Sequence, residues 1–200
     1  MYQCEWTDKP VLHVFPHWNW RKDDTVDVWA YTSCKEVELL LNGESLGSRK
    51  KTGDDLHVMW RVPYAAGTLR AIGRTDGKES LIREIKTSGA PAKIVLEADR
   101  NVIAADGKDL SFVTVTVVDE KGTLVPYADN LIRFKISGDG NIVGVDNGLQ
   151  TSDEPFQASY RKAFNGLCLA VIRSAERAGQ ITLEAMSDGL KESSIVIHTK

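Results

Sequence analysis

The 200-residue chain lacks most of what would announce a chemistry. Its three cysteines, Cys4, Cys34 and Cys168, are far apart and never form a C-x-x-C pair. Neither a disulfide framework nor a zinc site is expected from that spacing. With 25 basic and 28 acidic residues the net charge is −3, and the longest basic run is Arg49, Lys50 and Lys51. That excludes the basic footprint of a nucleic-acid binder. No apolar stretch approaches membrane-spanning length, so no membrane span is expected. No charged n-region followed by an apolar h-region opens the chain, so no signal peptide is expected in it.

Nucleophile chemistry is missing as well. There is no G-x-S-x-G, no Cys/His pairing and no Gly-rich phosphate loop followed by Lys. Glycoside chemistry needs two carboxyl groups roughly 5 to 10 Å apart across a cleft. Asp23/Asp24 and Asp54/Asp55 are sequence neighbours, which on a strand point to opposite faces, so they are expected to be solvated loop residues. No catalytic residue is expected in these 200 positions, and no cofactor.

Metal ligands are few. His13 and His17 are four apart, but Pro16 prevents a helix from presenting both on one face. His57 and His198 have no ligand-like neighbours. In "SGDGNIVGVDNG" the residues Asp139, Asn141, Asp146 and Asn147 miss the calcium-loop spacing. Turn chemistry explains them instead, because Asp and Asn side chains bond their own backbone. No metal is expected.

What is present is a core and a strand pattern. Hydrophobic residues make up 42% and charged residues 26%, ordinary for a globular chain. All five tryptophans (Trp6, Trp18, Trp20, Trp29, Trp60) lie in the first sixty residues. That shift suggests two independently built cores, with the boundary in "KTSGAPAK", residues 86–93. Before it, "LHVMWRV" places Leu56, Val58, Trp60 and Val62 on one face, and "TVDVWAY" sets Val26, Val28 and Ala30 against Asp27, Trp29 and Tyr31. Asn42-Gly43 and Asp76-Gly77 are hairpin dipeptides, since both residues tolerate positive φ. After the boundary, "AKIVLEAD", "DLSFVTVTVVDEKG", "NLIRFKIS", "GLCLAVIRSA", "GQITLEAMSDG" and "SSIVIHTK" read as further strands. Phe156, Tyr160 and Phe164, at i, i+4 and i+8, allow one short helix between Pro155 and Gly166. The pattern predicts an all-β chain of two sandwiches, without the strand–helix alternation of a barrel or nucleotide-binding enzyme.

One stretch stands out. "HVFPHWNW", residues 13–20, crowds two histidines and two tryptophans around a proline. Trp18 and Trp20 share a side if the segment is extended. Such rings serve either to seal a core or interface, or to stack on a sugar.

The sequence resembles a known family at this point. "YQCEWTDKPVLHVFPHWNW", "VDVWAYTSCKEVELLLNGESLG" and "VPYAAGTLRAIGRTDGK" resemble the region after the catalytic barrel in glycoside hydrolase family 2, in the β-galactosidase-like branch of gut Bacteroidetes. "YQCEW" is similar to the end of the barrel's last helix. "PHWNW" and "ELLLNGESLG" are similar to signatures of the immunoglobulin-like domain that follows. The rest, from "PAKIVLEADRNVIAADGKDLSFVTVTVVDEKG" to "RKAFNGLCLAVIRSA", resembles that family's last domain and also invasin-type bacterial immunoglobulin-like repeats.

The resemblance implies two tandem immunoglobulin-like β-sandwich domains, residues 1–89 and 90–200. The family's acid/base and nucleophile glutamates sit on barrel strands, and no position here corresponds to them. The chain is therefore expected to be a non-catalytic C-terminal accessory region of a parent enzyme that hydrolyses O-glycosyl bonds. Its implied partner is the parent's catalytic barrel, with carbohydrate as a second candidate. The implied location is the periplasm or cell surface. His17, Trp18, Asn19 and Trp20 are the expected contacts to a ligand or to the barrel. Two alternatives stay open: a stand-alone carbohydrate-binding module and an adhesion-type immunoglobulin-like tandem.

Overall fold

A computed structural model describes all 200 residues, and the chain divides into two compact units, Met1–Thr87 and Ser88–Lys200. The division falls two residues before the boundary read from the sequence.

Unit 1 opens with a five-residue helix, α1 (Tyr2–Trp6). Seven strands follow: β1 (Leu12–Phe15), β2 (Thr25–Thr32), β3 (Glu36–Leu41), β4 (Glu44–Lys50), β5 (Val58–Pro63), β6 (Thr68–Thr75) and β7 (Lys78–Lys86). They form a three-stranded sheet, β1-β2-β5, and a four-stranded sheet, β4-β3-β6-β7, antiparallel throughout. Alternation puts Val26, Val28, Ala30, Val58, Trp60 and Val62 of the first sheet inward, against Val37, Leu39, Leu69 and Ala71 of the second. Trp60 is 3% exposed, and its indole N–H donates to the Gly47 carbonyl at 3.1 Å. The two hairpins turn where expected, with Asn42 and Gly43 at φ 52° and 90° and Asp76 and Gly77 at 52° and 77°. Leu56 departs from the expectation. It is 45% exposed because the strand starts only at Val58, after the turn closed by Asp55.

Unit 2 carries β8 (Lys93–Ala98), β9 (Val102–Ile103), β10 (Leu110–Val118), β11 (Leu131–Gly138) and β12 (Gly140–Asp146). It continues with β13 (Tyr160–Lys162), β14 (Leu167–Ser174), β15 (Gly179–Met186) and β16 (Ser193–Thr199). Its two sheets are β12-β14-β10-β8 and β13-β11-β15-β16-β9. Only the pairing of β16 with β9 is parallel. Val113, Val115, Val117, Ala170 and Ile172 face Ile132, Phe134, Ile181, Leu183 and Ile197 across a closed core. The helix considered for residues 156–164 does not form. Tyr160 begins β13 instead, paired with Arg133 of β11. The acidic stretch around Asn141 holds a strand, β12, that Gly and Asp had disguised as a turn.

Candidate functional site

The Phe15–Pro16 peptide is cis and leads the chain out of β1 into the loop that carries the predicted contacts. The loop is not extended, so Trp18 and Trp20 take different fates. Trp18 is completely buried. Its indole N–H donates to the Ala65 carbonyl at 2.9 Å, and its ring meets Tyr64 edge-on at 5.2 Å. The Trp18 carbonyl accepts the Thr87 hydroxyl at 2.7 Å, and the same hydroxyl accepts from the Gly67 N–H. A side chain sealed in this way reaches neither ligand nor partner, so the expectation for Trp18 is corrected: it closes the sandwich. The physical reason is that a large indole gains most by burial when its one N–H finds a carbonyl.

Trp20 stays half-buried. Its N–H turns back to the His17 carbonyl at 2.8 Å, and its ring stacks on His17 with centroids 5.0 Å apart. The Asn19 backbone N–H donates to His17 Nδ1 at 3.3 Å, which makes that nitrogen the acceptor. Partial burial holds the His17 pKa below its ordinary value, so the ring is neutral at pH 7. Arg21 and Asp24 close the loop: the Arg21 N–H donates to Asp24 Oδ2 at 2.9 Å, and the Asp24 N–H to the Arg21 carbonyl at 3.1 Å. The structure therefore brings His17, Asn19 and Trp20 together as a partly exposed knuckle, with Trp18 as its root.

Beside the knuckle lies a feature that sequence reasoning did not single out. The residues that alternate outward from β1 and β2, with His57 just before β5, form a ladder of rings. His13 stacks on Phe15 at 5.5 Å, Phe15 on Tyr31 at 5.3 Å, and Trp29 on His57 at 4.2 Å with planes 9° apart. The signal was present in "VDVWAY", where Trp29 and Tyr31 fall on the outward register. Arg161 is a second omission. It is buried, with Nη2 donating to Asp146 at 3.1 Å and Nη1 to the Glu154 carbonyl at 2.9 Å, and it pins the long loop after β12. A single Arg in a short strand gives no warning of this in sequence.

Three of the carboxylates serve turns. Asp119 accepts the backbone N–H groups of Gly89, Thr123 and Lys121, which hold its pKa below the usual value. Asp109 is lowered by the Ala104 N–H and by Arg100, and Asp106 by the Asp109 and Lys108 N–H groups. A glycosidase acid requires the opposite shift. No three His, Cys, Asp or Glu side chains gather as a metal site would need. Burial pushes the Cys168 thiol up to about 12, so it packs as a small hydrophobe.

Comparison with known proteins places this geometry. The family model described as glycoside hydrolase family 2 C-terminal domain 5 matches residues 94–196, more than half of the chain. The chain belongs to that family. A second family model, DUF4982, matches residues 23–81 of unit 1. The β-galactosidase BoGH2A of Bacteroides ovatus is 50% identical over 198 residues, which is 98% of this chain and 23% of the relative. A β-glucuronidase of Formosa agariphila is 24% identical over 96% of this chain and 20% of its own length. A solved β-glycosidase structure from Bacteroides vulgatus superimposes with a TM-score of 0.94 at 34% identity, covering 98% of this chain and 26% of that one. The chain thus spans about a quarter of the length of these relatives. By family it is a C-terminal domain region of glycoside hydrolase family 2, built of β-sandwiches without an α/β barrel. No helix in it is long and apolar enough to cross a membrane.

Proposed function

We propose that the chain acts as the non-catalytic accessory region of a β-galactosidase-like family 2 glycoside hydrolase, with the enzyme's catalytic barrel as its partner. The observation that carries this reading is the match of 98% of the chain to only 23% of a β-galactosidase. Carboxylates held ionised by backbone N–H groups support it, since they serve turns rather than proton transfer. In this reading the knuckle of His17, Asn19 and Trp20 offers a neutral imidazole, an amide and an indole edge to the barrel or its cleft rim. The occurrence of both β-galactosidase and β-glucuronidase names among the relatives supports a scaffold role that leaves sugar choice to the barrel. We place the protein in the periplasm or at the cell surface, and recovery from the cytoplasm on cell fractionation would contradict that placement.

The test is direct. The 200-residue chain is expected to turn over no aryl β-galactoside and to give no binding heat with galactosides in calorimetry. Turnover abolished by changing one Asp or Glu would overturn the accessory reading in favour of an enzyme. Binding lost on Trp20→Ala would favour a carbohydrate-binding module instead.

A further inference from the structure

The two sheets of unit 1 treat their outer faces differently. The outer face of β4-β3-β6-β7 is laced with ion pairs: Arg74 reaches Glu38 at 2.7 Å and Glu79 at 3.2 Å, and Arg70 approaches Glu84 at 3.9 Å. On that face the charges sit among apolar residues, Ile72, which is buried, and Ile82, which is 41% exposed. The outer face of β1-β2-β5 carries His13, Phe15, Trp29, Tyr31, His57 and Met59, with Met59 42% exposed and His13 also exposed. Charge appears only at its margin, where Arg61 faces Asp27 at 3.9 Å. An apolar, aromatic centre with a charged rim is the anatomy of a protein interface, in which aromatic residues and Met are enriched and charges are excluded from the core.

We propose that this aromatic face of β1-β2-β5 is the surface on which the catalytic barrel of the parent glycoside hydrolase seats. The proposal rests on the accessory reading above and adds the surface to it.

A sugar is the weaker occupant because the rings close one another. A pyranose packs its C–H groups on an open ring face. The Trp29 face is covered by His57 at 4.2 Å, and Phe15 stands between His13 and Tyr31 at 5.5 and 5.3 Å. Met59 and His13 stay exposed beside half-buried rings, which suits an interdigitating protein surface. The relatives supply the partner, since the matched segment is 23% of the B. ovatus β-galactosidase and the remaining length is ample for a barrel. A second observation in the same unit agrees. The rings of Tyr2 and Trp6 of α1 lie tilted by 40° with centroids 4.7 Å apart and are 61% and 75% exposed, on a helix whose Cys4 is buried and whose Glu5 pairs with Lys51 at 2.6 Å. Two large rings on a five-residue helix gain nothing from water and call for cover. The loop that carries the knuckle leaves β1 at Phe15, a member of this face.

Hydroxyl-radical footprinting read by mass spectrometry tests the proposal. The 200-residue chain alone is compared with a complete B. ovatus β-galactosidase in which this chain replaces the matching segment. The expected result is oxidation of Met59 and Trp29 in the chain alone and loss of that oxidation in the active chimera. The sealed Trp18 and Trp60 are expected to be protected in both. An active chimera whose Met59 and Trp29 oxidise as in the free chain overturns the face assignment and leaves the accessory reading standing. A chimera that folds but has no activity overturns the accessory reading and this inference with it. Protection in the free chain together with a dimeric mass identifies a second copy as the occupant, and protection by lactose identifies a sugar. Either outcome overturns the proposal.

Discussion

Trp60 and Trp18 are both sealed indoles, yet only one was legible from its neighbours. Trp60 alternates with Val58 and Val62 on a regular strand, so period two alone assigned it to the core. Its replacement removes a ring from between two sheets and orphans the Gly47 carbonyl. Trp60→Ala is expected to cost about 3–5 kcal/mol, as large aromatic truncations in cores do. Urea unfolding measures it, and a loss under about 1 kcal/mol would place the ring outside the core. Asp119 acts by charge rather than volume. Three backbone N–H groups stabilise its carboxylate, so its folded pKa lies below the 3.8 of a free aspartate. A group with a depressed folded pKa contributes stability above its unfolded pKa and loses it as pH falls through the folded value. The protein is therefore expected to weaken below about pH 4, and Asp119→Ala to weaken it at pH 7 while flattening that decline. Equal acid sensitivity of the two proteins, read from urea midpoints at pH 7 and pH 3, would assign the decline to other carboxylates.

At the scale of elements, alternation and turn dipeptides disclosed most strands, because each buries one face and is bounded by residues that accept positive φ. Four elements escaped for physical reasons, one of them β13, only three residues long and set among aromatics at helical spacing. β1 opens into "HVFPHWNW", and its apolar residues on both faces, Leu12 and Val14 inward and Phe15 outward, erase the apolar/polar contrast. β12 is masked by Gly and Asp, which usually mark turns but here serve a strand with a bulge between Ile142 and Gly144. β9 is two residues long and exists through its pairing with β16, a contact between positions nearly a hundred residues apart. The knuckle was located by composition, but the opposite fates of Trp18 and Trp20 depend on the backbone leaving the extended conformation. The Gly-rich turns give a sharper test of element geometry. Gly138, at φ 92°, ends β11, and a Cβ there would lie 1.9 Å from the Gln180 backbone carbonyl. Gly122, at φ 85°, has open space in the same direction. Gly122→Ala is expected to cost only backbone strain, about 1–3 kcal/mol, and Gly138→Ala distinctly more, because a strand carbonyl cannot step aside. Equal midpoints for the two variants would show that β15 yields at Gln180.

At the scale of the molecule, the two units hold separate cores, one drawn from residues 12–71 and the other from residues 94–197. Both sheets of the second sandwich, including the parallel closure of β9 on β16, are made from residues after Ser88. Its start is secured internally as well, since Gly89 donates to Asp119 at 2.8 Å and the Ala92 N–H to the Val118 carbonyl at 2.9 Å. These contacts all lie within unit 2. Residues 88–200 produced alone are therefore expected to fold cooperatively, within the ordinary size of an independent domain. Calorimetry should then give that piece a single transition at the temperature of one of the transitions of the whole chain. Limited proteolysis is expected to cut first between residues 86 and 93, in the "KTSGAPAK" segment that joins the units. A piece that stays unfolded, or a whole chain that melts in one transition well above that of the piece, would mean that the two sandwiches stabilise each other. The folding result decides between these outcomes more firmly than the cut, because a covered linker resists a protease even between independent domains.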